Sequence, residues 1–303
     1  MKQKNLRFYV VDVLLLALSI LPLLAAIVLK ILTAPPSEGI SITGAQIYVT
    51  LPMPIQPLII TESQINSWLI MLSIAALCLY LTHGIRARVQ TRRQLLAEWI
   101  VETVDNMIHE NMGEYFAAFA PFVAGMLALS AFSSLSSLLG LYPPTSDLNV
   151  TAGWAILVFI LITYYKMKCG PWHYIRSFGD PVAVLAPMNV ISEVATPVSM
   201  AFRHYGNILS GSIVSVLVAA GLASLSERLF GALPGFLGDF PFLRIGIPAA
   251  LSVYFDVFSG CLQAYIFAVL TMLYVSSAFP KDEYEQRKRR RAEKKQRLQK
   301  SEK

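Results

Sequence analysis

Six apolar runs organise the chain, at about Val10–Leu32, Ile65–Leu81, Tyr115–Leu141, Thr151–Tyr165, Pro187–Ala223 and Pro241–Phe279. A helix needs about 20 residues to cross the hydrocarbon of a bilayer, so each run predicts a membrane segment, Thr151–Tyr165 being the short one. The last two runs differ from the rest. At about 1.5 Å per residue each would measure well over 50 Å as a single helix, against a hydrocarbon core of about 30 Å. They must tilt steeply, bend or break. Pro197 and Pro248 mark bend points, because proline removes an intrahelical hydrogen bond and clashes with the preceding turn. Between the second and third runs, RRQLLAEWIVETVDNMIHENMG puts Leu96, Trp99, Ile100, Val104 and Met107 at three- and four-residue steps, with Glu98, Glu102 and Asp105 opposite. That pattern predicts an amphipathic helix lying along the membrane surface.

The polar ends of the runs fix an orientation, because Lys and Arg in short loops stay on the cytoplasmic side. Lys2, Lys4 and Arg7 place the N-terminus inside, and the loop Thr33 to Gln64 has no Lys or Arg. Arg86, Arg88, Arg92 and Arg93 mark the next loop as inside, Tyr142–Val150 again has none, and Lys166, Lys168 and Arg176 return the chain inside. Arg228 and Arg244 break the pattern at the last outer turn, accompanied by Glu227 and Asp239. Six segments with both termini cytoplasmic are expected. The first run follows the basic MKQKNLR, yet it is longer than the core of a cleaved signal and leads to Thr33-Ala-Pro-Pro without a clean small-x-small site, so an uncleaved helix is predicted.

Composition agrees with a lipid solvent: 55% of residues are hydrophobic, 15% are charged, and the mean hydropathy is +0.56. The net charge of +6 belongs to the tail. Of 25 Lys and Arg, eleven lie in Lys281–Lys303, leaving fourteen; of 19 Asp and Glu, five lie there, also leaving fourteen. The positive balance therefore says nothing about the fold and gives no reason to expect a nucleic-acid partner; the tail reads as a solvated basic helix near anionic lipids. Cys78, Cys169 and Cys261 lie far apart with no CxxC spacing and read as small buried hydrophobes, so no metal or redox site is expected. A glycine-rich phosphate loop, HExxH and GxSxG are all missing, which removes the usual footholds of soluble enzymes and of a bound cofactor.

Polar residues form stripes inside the last two runs. Residues three, four and seven apart share a helix face, and Thr196, Ser199, Arg203, Asn207 and Ser210 follow that spacing, crossed by Gly206 and Gly211. In the sixth run Ser252, Asp256, Ser259 and Gln263 do the same. Ionisable groups within lipid are costly and mark ion or substrate paths by default, although an Arg203–Asp256 pair locking two helices is the structural alternative. The predicted topology sets Glu193 on the inner side of Arg203, Ser212 on its outer side, Asp256 toward the outer surface and Gln263 level with Arg203. An acidic group toward each face with a permanent cation between them resembles two partial ion inlets separated by a barrier.

These residues resemble subunit a of the F-type ATP synthase membrane sector. The match covers Pro197-Val-Ser-Met-Ala-Phe-Arg203-His-Tyr-Gly206-Asn207-Ile-Leu-Ser-Gly211, the aromatic-rich Leu262-Gln263-Ala264-Tyr265-Ile266-Phe267, and the turn Pro143-Pro144-Thr145-Ser146-Asp147-Leu148-Asn149-Val150-Thr151. The resemblance runs from about Ile65 to Phe279. It implies an all-α integral membrane protein of six segments, the last two being long tilted helices facing a rotor ring, plus one interfacial amphipathic helix. The chain divides accordingly into residues 1–63, an N-terminal helix and outer loop; 64–280, the membrane domain; and 281–303, the tail. The implied role is a non-catalytic stator that carries protons, or in some members sodium ions, to and from a ring of c subunits. A b subunit of the peripheral stalk and membrane lipids are the further partners, and the cell membrane is the location. Arg203 matches the essential arginine, which cannot itself relay a proton because a guanidinium keeps its charge. Asn207 and Gln263 match its polar neighbours.

Three departures stand out. Ser212 occupies a position where many members have an acidic residue, Asp256 one where some have histidine, and His204 one where leucine is common. The outer titrating group is expected to have moved to Asp256, and His204 adds an imidazole, a side chain type able to carry protons. The competing function is a secondary transporter holding a small anionic substrate on Arg203; paired repeats and broken helices in both halves, which such folds favour, are not seen.

Overall fold

The computed structural model describes residues 2–33, 44–54, 56–85, 91–168, 170–179, 183–230, 243–281, 284–286 and 289, most of them helical. Cys169, Arg86, Arg88, Asp239 and the tail apart from 281, 284–286 and 289 lie outside the described residues. Among the described residues, six helical stretches are long and apolar enough to cross a membrane: Phe8–Thr33, Glu62–Thr82, Glu114–Leu139, Leu148–Met167, Ala186–Leu229 and Gly246–Ala278. They coincide with the six apolar runs.

The first span, α1 (Lys2–Thr33), lies along α2 (Glu62–Thr82) and is fastened at three levels. At one rim Asp12 Oδ1 accepts a bond from Arg93 Nη1 and lies beside His83 Nδ1, both at 2.8 Å, while Phe8 stacks on His83. Midway, the Ser73 hydroxyl donates to the Ser19 carbonyl. At the other rim Lys30 Nζ is 3.3 Å from Glu62 Oε1. Between the two helices in the chain, within the stretch expected as a loop, lies an antiparallel hairpin of β1 (Ile47–Leu51) and β2 (Leu58–Thr61). Each strand is a short run rich in β-branched residues, and the prolines 52, 54 and 57 sit between them, where no ladder donor is needed.

The predicted surface helix is α3 (Arg92–Met112), and it has two functions along its length. Leu96, Trp99 and Ile100 face outward, whereas Val104, Ile108 and Met112 turn into the bundle. There they meet Phe116 and Phe119 of a 3₁₀ turn (Glu114–Phe119), α4 (Ala120–Leu135) and α5 (Leu148–Met167), around Val123, Val158 and Phe267. The Pro-Pro-Thr-Ser-Asp turn joins α4 to α5. Asp147 caps α5 by accepting the Asn149 amide at 2.9 Å, and its other oxygen accepts the Ser63 hydroxyl at 2.5 Å, tying the turn to α2. At the opposite end of α5, Lys168 lies 4.6 Å from the Tyr165 ring centre and 5.5 Å from that of Phe279, holding the end of the last span against the bundle.

A short helix, α6 (Pro171–Ser177), leads to α7 (Ala186–Phe230), whose 45 residues run unbroken past Pro197 for about 67 Å. The sixth span is built from α8 (Leu243–Ser252), a π-helical segment (Val253–Ser259) and α9 (Gly260–Ala278). Gly260 is required where it stands: a Cβ there would meet the Ser134 side chain of α4 at 2.5 Å. The expectation that the cysteines are buried is corrected for Cys78, which is exposed on α2. In lipid a small apolar side chain gains nothing by facing inward.

His204 is fully buried in this core. Its Nε2 lies 3.3 Å from the Ser130 hydroxyl, Trp154 and Phe267 meet its ring edge-on, and among the described residues its Nδ1 has no hydrogen-bond partner. Leucine would fill nearly the same volume and remove the unpartnered Nδ1, but it would also take the partner from the buried Ser130 hydroxyl, so the two effects offset, whereas alanine would leave a cavity as well. The His204→Leu protein is therefore expected to melt in detergent close to the wild-type midpoint, and His204→Ala about 5 °C or more below it. A leucine variant melting well below wild type would contradict this packing account.

Candidate functional site

Two contacts set α7 against the sixth span. Asn207 Nδ2 donates to Ser259 Oγ at 2.8 Å, and the Ser259 hydroxyl lies 3.2 Å from Asn207 Oδ1. One turn along, Gly211 packs on the Phe255 ring so closely that an added Cβ would lie 3.0 Å from it. Four residues forward on α7 thus correspond to four residues back on its neighbour. The same antiparallel step, four residues the other way, sets Arg203 level with Gln263 along the helix axes, and Gln263 is 5% exposed. The two polar stripes read from the sequence meet at the Asn207–Ser259 pair.

Arg203 lies on the outward side of this seam. It is exposed, as are Ser199 and Ser210 on the same face, while Gly206 and Asn207 are half-buried. Among the described residues it forms no ion pair. The alternative of an Arg203–Asp256 lock is not what the chain adopts, since Asp256 Oδ2 instead accepts the Ser252 hydroxyl at 2.5 Å. His204 points the other way, into the core described above.

Ten residues before Arg203, about 15 Å along the axis, Glu193 lines a polar cavity of about 430 Å³. Its side chain is 7% exposed. Lys166 Nζ from the last turn of α5 is 3.0 Å from Oε2, and the Tyr174 hydroxyl of α6 donates to Oε1 at 3.1 Å. Burial first, and the neighbouring carboxylate second, raise the Tyr174 pKa above its ordinary value, so the phenol stays a donor. Asn189, Ser192, Thr196 and Ser277 complete much of the lining.

On the other side of Arg203, Asp256 sits inside the π-helical segment. Local π geometry widens the turn and reorients side chains, and it recurs at functional sites. The α-helical spacing assumed for Ser252, Asp256 and Ser259 therefore changes here, and nothing in the local composition announces it. Ser212 is exposed, its hydroxyl donating to the Leu209 carbonyl at 2.8 Å, apart from the Asp256–Ser252 pair. Lys166 and Tyr174 are not among the site residues that the sequence suggests, because a basic residue in a short loop signals orientation alone.

The family model described as ATP synthase A chain matches residues 64–276. "ATP synthase subunit a 2" of Bradyrhizobium sp. is 29% identical over 231 residues, covering 76% of this chain and 93% of that protein. The subunit a of Desulforamulus reducens is 31% identical over 221 residues (71% and 78%), and that of Acidothermus cellulolyticus 32% over 216 residues (68% and 72%). The matched residues contain α7, the π-helical segment and most of α9, hence the whole seam around Arg203. A six-span helical bundle with this seam, matched over most of its length, belongs to the ATP synthase A chain family, the membrane-embedded subunit a of the F-type ATP synthase.

Proposed function

We propose that the chain carries ions between the two membrane faces and a moving carboxylate on a ring of c subunits, with Arg203 as the barrier between two inlets. As a member of its family the chain is non-catalytic and belongs to the ATP synthase complex. The observation that carries the reading is Arg203 itself: an exposed guanidinium, unpaired among the described residues, on the outward face of a helix about 67 Å long. A charge held in lipid needs an opposite charge, and a partner that comes and goes supplies it without locking the helix. A small-molecule transporter finds no support in the family match.

The inlets are separated by distance as well as by charge. Glu193 lies about 15 Å and Asp256 about 10 Å from Arg203 along the helix axes, several times the reach of one hydrogen bond. An ion passes from one to the other by riding the ring, and Arg203 prevents a direct leak, which would waste about 2.3 kcal/mol per proton at 100 mV. Glu193 with its cavity serves the cytoplasmic side. Asp256, steadied by Ser252, serves the outer side, with Ser212 a polar group on the same half. Asn207 and Gln263 orient water and the guanidinium, and the small Ser199, Gly206 and Ser210 give a ring helix room to approach. His204 supports the seam from behind. The N-terminus and tail face the cytoplasm of a cell membrane, supported by the alternation of basic and uncharged loops. A b subunit of the peripheral stalk is the second protein partner.

Arg203→Ala is expected to abolish ATP synthesis in membrane vesicles and to leave the membrane sector passively leaky; normal synthesis would remove the basis of the reading. Asp256→Asn is expected to slow ion passage at least about tenfold, because a general acid–base group is lost, with unchanged assembly of the complex. A wild-type flux in that variant would return Asp256 to a structural role.

A further inference from the structure

The two oxygens of Glu193 are both held by donors fixed on other helices, Lys166 on α5 and Tyr174 on α6. The rest of the cavity is rich in oxygen. Thr196 and Ser277 donate their hydroxyl hydrogens to carbonyls of their own helices, at 2.9 and 3.1 Å, which leaves their lone pairs available. A carboxylate with several neutral oxygens is the ligand set that hard cations take. One ammonium, seated against the carboxylate, stands in the way.

We propose that Lys166 is the selectivity determinant of this inlet: a tethered counter-ion that leaves Glu193 available to protons and closes the cavity to sodium and other alkali cations. This rests on the reading that ions pass through the Glu193 cavity. The ionisable groups facing Glu193 among the described residues are Lys166 from α5, Tyr174 from α6 and Tyr274 from α9, so Lys166 is the cation that sets the local charge. With Glu193 ionised the cavity is neutral; with Glu193 protonated it is positive. At neither stage does it hold the net negative charge that would draw in a second cation. A proton still passes, because it moves through water and onto an oxygen without needing a coordination shell.

The test is ATP-driven proton pumping by the whole complex in liposomes, compared in sodium chloride and in choline chloride on the ATP side. The ratio of rates in the two salts is the readout, since a strut that merely holds helices together would not alter it. Wild type and Lys166→Arg are expected to give a ratio near one. Lys166→Gln and Lys166→Met are expected to pump about threefold slower in about 0.1 M sodium, the occupancy factor 1 + [L]/Kd for a site of about 50 mM. Adding Glu193→Gln to either variant should abolish the sodium effect. Sodium-indifferent Gln and Met variants would overturn the proposal, as would sodium-sensitive wild-type pumping. Failure of both uncharged variants to assemble while Lys166→Arg assembles would also overturn it, by making the ammonium a structural strut. Glu193→Gln alone distinguishes the two levels. If that variant slows pumping in both salts and the Lys166 ratios stay at one, only the selectivity role falls; if it pumps at the wild-type rate, the inlet reading falls with it.

Discussion

A guanidinium within hydrocarbon must be answered by negative charge, and the chain holds Arg203 where its own described carboxylates do not answer it. Everything else in the bundle serves to keep it there. The reciprocal Asn207–Ser259 bonds and the Gly211–Phe255 contact lock α7 to the sixth span. Met200, His204 and Ile208 turn the opposite face of α7 into the protein, so Arg203 has one direction left. A shift of one residue in this seam would rotate the cation by about 100° toward the core.

The two sides of the barrier are built differently. On the tail side a carboxylate is fixed by neighbours from two other helices, in a cavity roomy enough for several waters. On the other side Asp256 rests in a stretch of π helix with Ser252, a hydroxyl of its own helix, as its partner. The carboxylate held from several directions is the better placed to discriminate between ions. The one on an irregular turn is the better placed to yield. The N-terminal span α1 lies outside the family match of residues 64–276, yet it is joined by an ion pair to α2 at one rim and by another to α3 at the other, so it is an integral part of this bundle.

Much of this was legible in the sequence because hydrophobic length and the 3.6-residue period are local signals. The six spans and the helix Arg92–Met112 follow from counting along a helix. What stayed hidden depends on residues far apart in the chain. Glu193 meets Lys166 and Tyr174 only after α5, α6 and α7 pack, and Asp12 meets Arg93 only across three elements. The hairpin of Ile47–Leu51 and Leu58–Thr61 is too short to stand out from a loop, and a π-helical turn has no compositional mark. Cys78 departs from the buried position expected of it for a different reason: in lipid an apolar residue is satisfied on either face.

The central claim is that the exposed face around Arg203 is the one that meets the ring. Disulfide cross-linking in native membranes tests it most directly, with cysteines introduced singly at Ser199 and Ser210 and one at the helix turn beside the ring carboxylate. The account predicts rapid cross-links from both positions to the ring, each blocking rotation-coupled ATP hydrolysis, and none from a cysteine at Ser130 on the opposite side of α7. Cross-linking to the ring from Ser130, with none from Ser199 or Ser210, would contradict it.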